Sequence, residues 1–135
     1  MAVTPETYRF AELFAAGTAV LSNLYMSFTD CLLAAEILGR RDEARQWLGA
    51  PRDSPWFTAA RALVDQEFVR AAESLDSMGA ARSAALARLR AVQELVTAGR
   101  AAEADHQLRL ALTFFRSIGA TRYIREGEAL LAASA

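Results

Sequence analysis

Apolar residues recur along this chain every three or four positions. In 66–79, Phe68, Ala71, Ala72, Leu75 and Met78 lie on one helical stripe. Ala85, Leu89, Val92 and Val96 do the same in 81–97, flanked by Leu86 and Leu95, as do Ala104, Leu108, Ala111 and Phe115 in 101–118. No stretch sustains the alternation with β-branched residues that marks a strand. The pattern predicts an all-α chain with helices near 5–20, 23–38, 41–48, 55–64, 66–78, 81–98, 101–118 and 121–133. From Phe10 to Leu38 the apolar positions keep a phase of about 3.5 residues, which one long helix with a coiled-coil-like seam would satisfy. Gly17-Thr18 and Ser22-Asn23 interrupt that stretch and predict a break into two helices.

Local signals place the helix ends. Thr4-Pro5-Glu6 and Ser54-Pro55-Trp56 each set a capping hydroxyl before a proline suited to a first helical turn. Asp65 is expected to cap a helix starting at Gln66, and LGAPRDSP at 48–55 reads as the one clear loop. Glycines at 39, 79 and 119 are forty residues apart, with Gly99 midway between the last two. Each follows an apolar helical run, where glycine accepts the positive φ that closes a helix. Two hexapeptides echo each other, SMGAAR at 77–82 and SIGATR at 117–122, and so do GRRDEA at 39–44 and GRAAEA at 99–104. These are the equivalent turns of stacked antiparallel helix pairs, an α-solenoid of seven to eight helices in which each pair buries its stripe against the next. A single helical-repeat domain over 1–135 is expected, with 1–49 the less regular part.

Composition narrows the setting. The chain has 135 residues, thirty of them alanine, and all fifteen basic residues are arginine. Alanine favours helix and lets neighbouring helices approach closely. One cysteine, Cys31, excludes an intramolecular disulfide, so a reducing, cytoplasmic setting is expected. A net charge of −1 argues against nucleic acid or an anionic membrane surface as partner. Residues 13–29 carry no charge, but Gly17, Thr18, Ser22, Asn23, Ser27 and Thr29 make poor lipid-facing surface, so a buried helix is expected there instead of a membrane span.

The stretch 84–135 resembles the C-terminal end of the tetratricopeptide-like arms of large bacterial regulators that carry cyclase-like or ATPase modules upstream. The residues that carry this are G-R-x-x-E-A-D at 99–105, A-L-x-F-x-R-S-x-G-A-T-R-Y at 111–123 and the terminal L-L-A-A-S, with SPW at 54–56 leading into AAESLDSMGA at 71–80. The resemblance implies a right-handed α-solenoid, repeat pairs over 50–135 with a C-terminal capping helix, and a scaffold with no catalytic residues. The chain departs from those regulators in holding no GxxxxGK[ST] phosphate loop and no lysine to complete one.

Catalytic chemistry finds little footing. His106 is the one histidine and no set of metal ligands accompanies it, so it reads as a surface residue beside the helical pair Asp105 and Arg109. Cys31 lies on the apolar stripe and is expected to be a small buried hydrophobe. The carboxylate pairs Asp42-Glu43, Asp65/Glu67 and Glu126/Glu128 are spaced so that their members point apart on a helix. Charge is uneven: 1–76 holds seven arginines against eleven acids, and 77–125 eight against three, a local +5. Arg82, Arg109, Arg116 and Arg122 are therefore the candidate partner-binding residues.

The sequence thus predicts a non-catalytic interaction or regulatory module, with no metal and no cofactor, facing a protein partner or a partner domain of the same regulator. A homodimer through helix 5–38 or the last helix fits the same pattern. The alternative is a small helical ligand sensor with an apolar pocket near Tyr25, Phe28, Trp47 and Trp56. Both Trp47 and Trp56 are expected to anchor the 48–55 loop.

Overall fold

The computed structural model describes the backbone of residues 22–134 and the side chains of residues 29–132. The helix expected at 5–20, the Thr4 cap, most of the uncharged stretch and the Tyr25 and Phe28 side chains lie outside these residues. Among the described residues the chain is all-α. Its helices are α1 (Ser22–Ile37), α2 (Arg41–Leu48), α3 (Pro55–Val64), α4 (Phe68–Ser77), α5 (Ala81–Thr97), α6 (Ala101–Ser117) and α7 (Thr121–Ser134). They fall into two compact units, the first ending at Gln66 and the second starting at Glu67. None of them is long and apolar enough to cross a membrane.

One turn joins these helices again and again. After α4, Gly79 stands at φ 77°; its N–H donates to the Asp76 carbonyl at 2.9 Å, and Ala80 N–H donates to the Leu75 carbonyl at 2.9 Å. This paired closure satisfies two carbonyls that the helix end leaves without partners. The Ala80 carbonyl then accepts from Ala84 N–H at 2.9 Å, opening α5. Gly39 with Arg40, Gly99 with Arg100 and Gly119 with Ala120 make the same two bonds and open α2, α6 and α7 in the same way. The spacing of forty and twenty residues is therefore the spacing of identical helix-to-helix turns. Position four of the new helix is small and buried in α2, α4, α5 and α6, as Ala44, Ala71, Ala84 and Ala104.

The doubled G-R-x-x-E-A run has a structural reason too. Arg40 lies at the N-cap of α2 and reaches forward to Glu43, with Nε to Oε1 at 2.8 Å and Nη2 to Oε2 at 2.5 Å. Arg100 repeats the fork on Glu103 with both contacts at 2.6 Å. A glutamate in the first turn also meets the positive end of the helix dipole.

Two boundary expectations need correction. Asp65 caps the C-terminus of α3 instead of opening α4, which starts at Phe68 after Glu67. Gln66 between them takes the glycine place of this turn at φ 61°, donating its N–H to the Leu63 carbonyl at 3.2 Å. Ser54 does sit at the N-cap of α3, but its hydroxyl makes no capping bond; its carbonyl accepts from Thr58 N–H at 2.9 Å and Thr58 Oγ1 at 3.2 Å.

In the first unit α3 packs on both α1 and α2, which also touch each other. Leu32, Leu33, Leu48, Phe57 and Leu63 are buried there, while Trp47 and Trp56 are half-buried at either side of the 49–54 loop. In the second unit α5 packs between α4 and α6 and also reaches α7, which packs on α6. The expected stripes are inside: Phe68, Ala71, Ala72 and Leu75 of α4, and Ala104, Leu108, Ala111 and Phe115 of α6. On α5 the burial runs further round, because Ala84, Ala87 and Ala91 sink beside Ala85, Leu89 and Val92.

Candidate functional site

The second unit carries all four arginines that the charge pattern singled out, and the fold occupies them to different degrees. Arg109 pairs with Asp105 one turn away on α6. Arg116 reaches across to Glu128 on α7, Nη2 to Oε1 at 3.2 Å. Arg122 lies over the ring of its neighbour Tyr123, 5.9 Å from the centroid. Arg82 is exposed near the start of α5. All four are exposed, and Arg109 and Arg116 share their charge with an acid of the same unit. The basic window 77–125 stops just short of Glu126 and Glu128, so the fold dilutes the +5 that sequence counting isolates.

Arg88 was not singled out, yet it is the most deeply placed arginine described. It is 8% exposed on α5 and donates from Nη2 to Asp76 Oδ2 of α4 at 2.5 Å. Its Nε is buried without a hydrogen-bond partner, as is the Ser83 hydroxyl on the same helix. Position 76 is forty residues before 116, and 88 is forty before 128. The two ion pairs therefore occupy one place in successive hairpins with their charges exchanged. Lining up the chain at that interval would have exposed the match, which a scan for charge runs misses.

Two of the three carboxylate pairs are split between separate arginines. Glu43 bonds Arg40 whereas Asp42 Oδ1 accepts from Arg45 at 3.0 Å. Asp65 accepts from Arg45 at 3.1 Å whereas Glu67 accepts from Arg70 at 2.8 Å. Hydrogen bonds from Arg40 and Arg100 hold the Glu43 and Glu103 carboxyls below the ordinary glutamate range.

Cys31 is exposed, not buried as its place on the apolar stripe suggested. The part of the residue that protein covers and the nearby Asp30 carboxylate both push its thiol up, which lowers the thiolate fraction and makes it a poor nucleophile. His106 is exposed on α6. Among the described residues no three His, Cys, Asp or Glu side chains gather as a metal site would require. Comparison with known families, curated proteins and solved structures found no match.

Proposed function

We propose that this chain is a non-catalytic helical-repeat module, built as a right-handed α-solenoid like the tetratricopeptide-like arms of bacterial regulators. It offers a surface to a protein partner, or to a partner domain of the same regulator, in the cytoplasm. The observation that carries the reading is the recurrence of one hairpin: the same two turn bonds and the same interhelical ion-pair position return after forty residues. Repeating one unit builds area without building a cleft, and area is what a binding scaffold needs. Arg82, Arg109, Arg116 and Arg122 contribute the charged part of that surface, since the acids that meet Arg109 and Arg116 are themselves solvent-exposed and exchangeable.

The test is affinity capture with the tagged full chain, identification of the captured protein and reconstitution of the complex from purified components. The expected result is a defined complex that weakens at least tenfold in R82E/R109E/R116E/R122E while the melting temperature holds. A chain that forms no complex and instead turns over a small-molecule substrate would overturn the reading.

A further inference from the structure

We draw no further inference here: the strongest candidate, the apolar stripe of Leu110, Phe114 and Ile118 along the outer side of α6, has nothing in the structure to show what covers it, since Arg109 and Arg116 lie on the far side of that helix's buried face.

Discussion

Arg88 and Arg116 make the same kind of bond in very different surroundings. Arg88 is buried with its Nε unbonded, so Asp76 is the one acid that compensates a guanidinium held away from water. Asp76→Ala is therefore expected to destabilise the fold by about 2–3 kcal/mol, a value below that of a fully buried pair because the Asp76 carboxylate meets solvent. Glu128→Ala removes the matching exposed acid and is expected to cost less than about 1 kcal/mol. Urea midpoints of the two variants, compared at one slope, decide this; equal losses would show that burial of Arg88 carries no energetic weight. Gln66 offers the opposite kind of change. At φ 61° its side chain bears the left-handed conformation that glycine adopts freely. Its Nε2 contact to Glu36 Oε1 is long, 3.4 Å, and contributes little. Gln66→Gly is expected to stabilise by about 1 kcal/mol, read as a higher urea midpoint.

At the level of helices, the turn is the recurring part and its companions vary. Because the folded-state pKa values of Glu43 and Glu103 are lowered by Arg40 and Arg100, each fork supports the fold above the ordinary glutamate pKa. That support fades as pH falls through the lowered value. E43Q/E103Q is accordingly expected to flatten the acid limb of a plot of urea midpoint against pH, and an unchanged limb would refute the assignment. Packing between helices varies by compensation. A Cβ at Gly127 of α7 would come within 2.8 Å of Leu112 Cδ2 on α6; one hairpin earlier these two places hold Ala87 and Ala72. Large with none has replaced small with small. Gly127→Ala and Leu112→Ala are each expected to destabilise, the second by about 2–4 kcal/mol. The double variant is expected to recover about 1–2 kcal/mol relative to their sum, and additivity in thermal melts would refute the compensation. These elements were legible in the sequence to differing depths, for physical reasons. Glycine marks a positive φ plainly, so four turns could be read; Gln66 adopts it without a mark, so the start of α4 shifted. Periodicity located the faces of α4 and α6, which have polar sides, but α1 (SNLYMSFTDCLLAAEI) separates polar from apolar positions only weakly, and the phase that put Cys31 on the apolar stripe misplaced it. The Arg88–Asp76 bond joins two helices at a distance of twelve residues, which no local pattern reports.

Across the second unit, α5 and α7 differ on one matching side. On α5 the side formed by Ala85, Leu89 and Val92 is buried. Forty residues later the same side of α7 is Arg125, Ala129 and Ala132, and all three are exposed. The change removes a leucine and a valine and adds a charge, which is how a stacked array makes an outward helix compatible with water. This side of α7 therefore offers a neighbouring helix less apolar surface than the matching side of α5. Giving α7 the residues of α5, in R125A/A129L/A132V, is expected to leave the helical content intact and to convert that side into a stacking surface. Sedimentation velocity is then expected to show concentration-dependent association in the variant above the wild-type level. If the variant sediments as the wild type does, the polar side of α7 is incidental, and what limits association lies in another surface. If A129L/A132V associates as strongly as the triple variant, loss of the arginine charge matters less than the two restored apolar residues.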